Sequence, residues 1–141
     1  MKPSLGPAVL VDSNVLIDVL TEDPHWFAWS SETLAAAADH AILAIDPIIY
    51  AEVSIGFATI EDLESALPHE AFRRTHLPTE AAFLAGKAFL RYRRAGGERR
   101  SPLPDFFIGA HAAVEGMTLL TRDAGRYRSY FPGLEIVAPD A

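Results

Sequence analysis

The apolar positions of this chain change period at a carboxylate near its start. Val9, Leu10 and Val11 form a short aliphatic run that suits a strand buried on both faces. Beyond Asp12, from Asn14 onward, the apolar residues recur as Val15, Leu16, Val19 and Leu20, which is a helical spacing. Asp12 is therefore predicted at the carboxyl end of a strand that feeds a helix, the edge at which ligands bind in open α/β sheets. An isolated Asp-Ser pair in such a place is also an ordinary helix cap, and the local pattern alone favours the cap.

The alternation continues downstream. Asp23-Pro24 predicts the start of a second helix carrying Trp26, Phe27, Trp29, Leu34 and an alanine run over 35–38. Ala41 to Ile45 reads as a buried strand, and Asp46-Pro47 opens a third helix, IIYAEVSIGF, in which Glu52 is the only charge. A lone carboxylate among Ile49, Val53, Ile55 and Phe57 either lies on the solvent stripe or is aimed at a cation, and the helix pattern favours solvent. Thr59 to Leu67, with an N-cap threonine and early acids, predicts a short surface helix that serves as scaffold. Phe72 to Leu77 reads as a short strand near a sheet edge with Arg73 and Arg74 exposed.

Thr79 is predicted to cap a long helix with Phe83, Leu84, Ala88 and Tyr92 toward the core, ending at Gly96-Gly97. Glu98 to Leu103 then reads as a mobile loop of the kind that lies beside a site. Pro104-Asp105 opens a helix that is apolar almost all the way round and so predicted buried, with Gly109 permitting close approach to a neighbour. Asp105 in its first turn suits the helix dipole, and it is equally well placed for a metal. Met117 to Thr121 forms a fourth strand followed by Arg122-Asp123, which repeats the arrangement at Asp12. A short helix with Arg126, Tyr127 and Tyr130 leads through Pro132-Gly133 to a last strand, Leu134 to Val137. Strands alternating with helices, without an internal repeat, predict one α/β domain over residues 1–141 with a mainly parallel sheet.

Composition narrows the chemistry. The 141 residues, 50% hydrophobic, suffice for one proper core. With no cysteine there are neither disulfides nor thiolate metal ligands. The leading MKPSLGP and the brief apolar run after it match neither a signal peptide nor a membrane span, so a cytoplasmic protein without membrane attachment is expected. The net charge of −7 conceals an asymmetry: residues 1–70 hold twelve acids and one base, residues 71–141 seven acids and eleven bases. Six of the twelve cations fall between Lys87 and Arg100, among them Arg93, Arg94, Arg99 and Arg100. Such a cluster is either a solvated helix end or a phosphate-binding surface.

Four acids occupy special places: Asp12 and Asp123 at strand ends, Asp105 at a helix start, and Glu52 alone on an apolar helix. Meeting at one sheet edge they would repel unless neutralised, and oxygen donors without His or Cys select hard cations such as Mg²⁺ or Mn²⁺. A metal so held can activate a water and offset charge in phosphodiester hydrolysis. No Gly-rich phosphate loop and no Ser-His pair competes with this reading.

The segments VDSNVLID, YAEV, PDFFIGAHA and LLTRDAGRYRSYFPGLEIVAP, in this order, resemble the PIN-domain family, and within it the VapC-type toxins of toxin-antitoxin pairs. The resemblance runs over nearly the whole chain, and the family's acidic quartet falls on Asp12, Glu52, Asp105 and Asp123. It implies a PIN-like three-layer fold, with a five-stranded parallel sheet between helices. It also implies Mg²⁺-dependent ribonuclease activity, a homodimer, and inhibition by a VapB-type antitoxin. Asp12, Asp105 and Asp123 are then the expected metal ligands. Ser13, Asn14 and Thr121 match positions that are often polar near such a site. Arg93, Arg94, Arg99 and Arg100 become candidates for holding the RNA backbone, or for meeting the antitoxin.

Other readings fit less well. A receiver-type phosphoacceptor domain wants adjacent acids after the first strand and a late lysine, whereas Asp12 precedes Ser13 and the last lysine is Lys87. A haloacid-dehalogenase-type phosphatase wants an aspartate where this chain has Asn14. A PIN-fold binding module with a weak site is the remaining alternative, against which the four acids stand. Among the histidines, His25, His40, His69 and His76 lie near predicted element ends. His111, six residues after Asp105, falls on roughly the opposite helix face and is read as packing or interface.

Overall fold

The computed structural model describes residues 8–97 and 102–139. In chain order the elements are β1 (Ala8–Val11), α1 (Ser13–Leu20), α2 (Phe27–Ala38), β2 (Ile42–Ile45), α3 (Pro47–Ser54), α4 (Ile60–Ala66), β3 (Arg73–Arg74), α5 (Thr79–Arg94), α6 (Leu103–Glu115), β4 (Thr118–Leu120), α7 (Gly125–Tyr130) and β5 (Ile136–Val137). The five strands form one sheet in the order β3-β2-β1-β4-β5, and every pairing is parallel. From β1 the chain steps outward to β2 and β3, then returns to the other side of β1 as β4 and β5. With right-handed crossovers, that reversal distributes the helices over both faces of the sheet. It also makes the carboxyl ends of β1 and β4 the switch point of the topology.

The three inner strands are continuous apolar runs because both of their faces are covered. Leu10, Val11, Ala44, Ile45, Leu119 and Leu120 are fully buried. The edge strands β3 and β5 are two residues each, shorter than their sequence patterns predict, which limits the unpaired backbone they offer. The ladder nonetheless runs past the named ends: Asp12 N–H donates to Leu120 O at 2.8 Å, and Thr121 N–H to Val137 O at 3.0 Å. These two bonds hold the first residues beyond β1 and β4 in register.

Four local expectations are corrected. The second helix starts at Phe27 rather than at Asp23-Pro24, because Asp23 Oδ1 accepts from the backbone N–H groups of His25 and Trp26 and closes a turn first. Thr79 is the first residue inside α5, with Pro78 in the capping position and no side-chain cap. Phe83 does not face the core; it is 69% exposed, and Ala81, Ala85 and Ala88 form the buried stripe instead. Small residues take that stripe because α5 lies along α6. Arg74 is half-buried, with Nη2 on Glu64 Oε2 at 3.1 Å, while Arg73 is exposed as predicted. The expected mobile loop falls mainly on residues 98–101, outside the described residues.

The helices beside the site are fastened by aromatic rings. Phe106 of α6 is fully buried, with ring centroids of Tyr130 at 5.0 Å, Tyr92 at 5.7 Å, and Phe89 and Phe131 at 6.4 Å. Gly109 is what lets α7 come this close, since a Cβ there would stand 2.6 Å from Phe131 Cε2 and 3.0 Å from Tyr127 Cδ1. Alanine in a helix interior ordinarily gains about 1 kcal/mol over glycine. Here Phe131 is buried and cannot swing aside, and overpacking costs typically 1–3 kcal/mol. Gly109→Ala is thus expected to lower the urea midpoint, and a midpoint above wild type would show that the rings yield freely.

Candidate active site

Each side chain at the switch point is delivered by a different element. Asp12 follows β1 in extended conformation and is the N-cap of α1, its Oδ1 accepting from Ser13 N–H at 2.7 Å. The cap and the site are the same residue, because Oδ2 faces the other way. Oδ2 accepts from the Thr121 hydroxyl at 2.9 Å and from the Tyr127 hydroxyl at 2.9 Å, and the residue is 3% exposed. Burial pushes the Asp12 carboxyl up to about 6, against the pull of those hydroxyls, and the charge of Asp105 adds to the rise.

Asp105 lies in the first turn of α6, half-buried. Its Oδ2 accepts from Arg126 Nη1 at 2.9 Å and its Oδ1 lies 3.4 Å from the Tyr127 hydroxyl. One phenol therefore stands between Asp12 and Asp105, closer to the former. Burial raises the Asp105 carboxyl, Arg126 lowers it, and the charge of Asp123 raises it again. The Tyr127 hydroxyl is itself pushed well up, by burial and then by the two aspartates, and so stays a donor.

Glu52 departs from its expected solvent stripe. It is half-buried beside Ile49 and Val53, and its Oε1 accepts from the Ser13 hydroxyl at 2.7 Å. The reason is tertiary: α3 packs on α1, which turns the polar edge of α3 toward the carboxyl end of β1. Burial raises the Glu52 carboxyl, Ser13 opposes, and the charges of Asp105 and Asp46 add to the rise.

Thr121, fully buried, is the hub behind these acids. Besides donating to Asp12, its Oγ1 accepts from Asn14 Nδ2 at 3.3 Å and from Asp123 N–H at 3.1 Å. Asn14 Oδ1 in turn accepts from Arg122 N–H at 3.1 Å, so α1 and the end of β4 are tied together by side chains. Asp123 is exposed at the rim and reaches Asp105 through its charge. Arg93 and Arg94 are exposed on the last turn of α5, whose Tyr92 packs against Phe106, next to Asp105. Arg99 and Arg100 lie outside the described residues.

The structure thus gathers Asp12, Ser13, Asn14, Glu52, Asp105 and Thr121 at one sheet edge, with Asp123 at its margin. Sequence reading missed Tyr127, Arg126 and Arg122. No periodic signal marks a phenol as the bridge between two acids. His111 is buried inside α6, with Nδ1 2.9 Å from Asp46 Oδ2, while Asp46 Oδ1 caps α3 through Ile49 N–H at 2.9 Å. It ties α6 to the start of α3 through Asp46, whose charge also acts on Glu52.

The donors are all oxygen, which suits a hard cation, yet among the described residues no three carboxylates or imidazoles converge closely enough to enclose an ion. A hard cation that keeps several of its waters needs only one or two carboxylates. Asp12 and Asp105 are the pair within reach, sharing one hydroxyl between them.

The sequence matches the PIN domain family over residues 9–131, most of the chain, and the chain belongs to that family. The fold is similar to chains of VapBC2 from Rickettsia felis bound to a DNA fragment from their promoter (TM-score 0.71, 20% identity, covering 94% of this chain and 99% of that one). It is also similar to a toxin-antitoxin complex from Klebsiella pneumoniae (0.68, 22%, 94% and 98%) and to VapBC-1 from nontypeable Haemophilus influenzae (0.69, 19%, 93% and 97%). A comparison with curated proteins finds no match. Among the described residues no helix is long and apolar enough to cross a membrane.

Proposed function

We propose that this chain is a VapC-type toxin, a Mg²⁺- or Mn²⁺-dependent endoribonuclease restrained by a VapB-type antitoxin and acting as a homodimer. The observation that carries the reading is the pair of carboxylates, Asp12 and Asp105, brought from β1 and α6 to one hydroxyl at the switch point and both pushed up by burial. Asp12 is held by uncharged donors and Asp105 by Arg126, and oxygen donors of this kind select a hard cation.

Asp12 and Asp105 would hold the metal, with Asp123 and Glu52 reaching it directly or through water. Bound there, it supplies a lowered pKa for water and charge stabilisation at the phosphate. The chain's own residues do the positioning. Thr121, Tyr127 and Ser13 N–H fix both oxygens of Asp12, while Ser13 holds Glu52 toward the same edge. The exposed cations Arg93 and Arg94 end α5, whose Tyr92 packs on Phe106, and they would meet the RNA backbone. An apolar groove lined by Ile17, Leu20, Val53, Ile55 and Phe57 opens beside Glu52, and its exposed Ile55 is a surface that a partner chain would cover.

The test is cleavage of a labelled single-stranded RNA by purified protein with Mg²⁺, with Mn²⁺ and with excess chelator. Cleavage is expected in the first two only. Equal cleavage in chelator, or none in any, would overturn the reading.

A further inference from the structure

Arg126 is placed unlike the other cations that form ion pairs among the described residues. Arg122 is spent on Asp18, with Nε and Nη2 on its two oxygens at 2.8 and 3.0 Å, and Arg74 is paired with Glu64 away from the site. Arg126 alone among them is paired with a site carboxylate, and by a single hydrogen bond from Nη1 to Asp105 Oδ2 at 2.9 Å. A guanidinium has five N–H donors. The other donors make no hydrogen bond among the described residues; the guanidinium lies over the Tyr92 ring, 5.9 Å from its centroid, and the side chain is 40% exposed.

Its backbone, in contrast, is held firmly. The next residue, Tyr127, is buried with its hydroxyl on Asp12, and Tyr130, one turn on, packs on Phe106. A change of partner at the guanidinium would therefore involve the side chain alone, leaving Asp105 and the face of Tyr92 while its base stays beside the acids. Four acids stand at this edge, and an RNA phosphate must approach them. A divalent ion held by Asp105 would compete with the guanidinium for that carboxylate, and an arriving phosphate would offer the guanidinium a partner suited to a planar, doubly donating cation.

We propose that Arg126 is the phosphate-binding residue of this site: it neutralises Asp105 in the free protein and transfers to the RNA phosphate next to the bond to be cut once metal occupies Asp105. The inference rests on the ribonuclease reading and adds to it a named substrate contact and a competition between two cations for one carboxylate.

The competition has a sign that a merely structural arginine would not give. In Mn²⁺ titrations by calorimetry without RNA, Arg126→Gln should bind Mn²⁺ several-fold more tightly than wild type, because Asp105 no longer has a resident cation. With Ca²⁺ in place of Mn²⁺ and a labelled single-stranded RNA, the same variant should bind RNA about tenfold more weakly. Its log-log salt dependence should fall by about 0.7, the value for one phosphate contact on a single strand. Arg126→Lys, which keeps the charge and loses the fork, should lie between in RNA affinity. Mn²⁺ affinity unchanged or weaker in Arg126→Gln, or RNA affinity and salt slope unchanged, would overturn the role of Arg126 while leaving the ribonuclease reading intact. Wild-type protein that binds neither Mn²⁺ nor RNA would overturn that reading itself, and this inference with it.

Discussion

Asp12→Asn is expected to abolish RNA cleavage and, without metal, to raise the melting temperature at pH 7. The first effect follows from losing a metal-holding carboxylate, which weakens both metal affinity and charge stabilisation and should lower the rate by orders of magnitude. The second follows from burial. The Asp12 carboxyl is held at about 6 against an ordinary 3.8, so the folded protein prefers the protonated form. Asp12 therefore contributes stability that is present below about pH 4 and is lost as pH rises through 6. At pH 7 the ionised group costs the fold at most about 3 kcal/mol. Asparagine keeps the oxygen that caps Ser13, while its amide faces the Tyr127 hydroxyl, which can turn to accept, and the Thr121 hydroxyl, whose two lone pairs already accept from Asn14 and Asp123. Allowing about 2 kcal/mol for that mismatch leaves a gain of about 1 kcal/mol, or roughly 3 °C in a domain of this size. Thermal melts in chelator from pH 4 to 8 check it: the gap between variant and wild type should open between pH 4 and 6. A gap independent of pH would show that the Asp12 carboxylate is not strained by burial, and a fully active variant would remove it from the site.

Arg122→Ala should lower stability, and by more than Asp12→Asn raises it, although Arg122 touches none of the four acids. Its guanidinium grips both oxygens of Asp18, whose side chain is 1% exposed, and lies 5.3 Å from the ring centroid of Trp26. Removal leaves a buried carboxylate with one remaining hydrogen bond, from the Ser30 hydroxyl at 2.7 Å. Breaking such a pair from one side costs 3–5 kcal/mol, and because Arg122 is itself 30% exposed the lower end applies, about 3 kcal/mol or roughly 10 °C. The double variant Asp18→Leu with Arg122→Leu should recover most of the loss, since no charge is then stranded. A double-mutant cycle with coupling below about 0.5 kcal/mol would show that the pair is not what holds this corner. The same cation stiffens the turn between Thr121 and Asp123, so Arg122→Ala should also slow cleavage in protein that is still folded at 20 °C.

Glu52 and Tyr127 mark where local reading stops. Asp12 and Asp105 were legible because a carboxylate at a change of period, or in the first turn of a buried helix, stands out against its neighbours. Glu52 stood on a helix whose pattern pointed it to solvent, and only the packing of α3 against α1 turned it toward Ser13. Phe83 shows the converse error: a large apolar residue at helical spacing was expected inside, but the near approach of α5 to α6 admits alanines and leaves it out. Arg126 and Tyr127 lie in a short helix that reads as a connector, and they acquire their meaning from oxygens 21 to 115 residues away in the chain.

What this sequence by itself determined is the order of strands and helices, the buried runs of β1, β2 and β4, and the placement of carboxylates at element ends, because each depends on period, capping and turn chemistry within a few residues. Only the tertiary structure decided which carboxylates meet, which cation rests on which acid, and that one phenol joins Asp12 to Asp105. Those outcomes depend on the strand order β3-β2-β1-β4-β5 and on the angle at which α3, α6 and α7 pack around β1. They are settled by long-range packing, which fixes side-chain distances that no local pattern encodes.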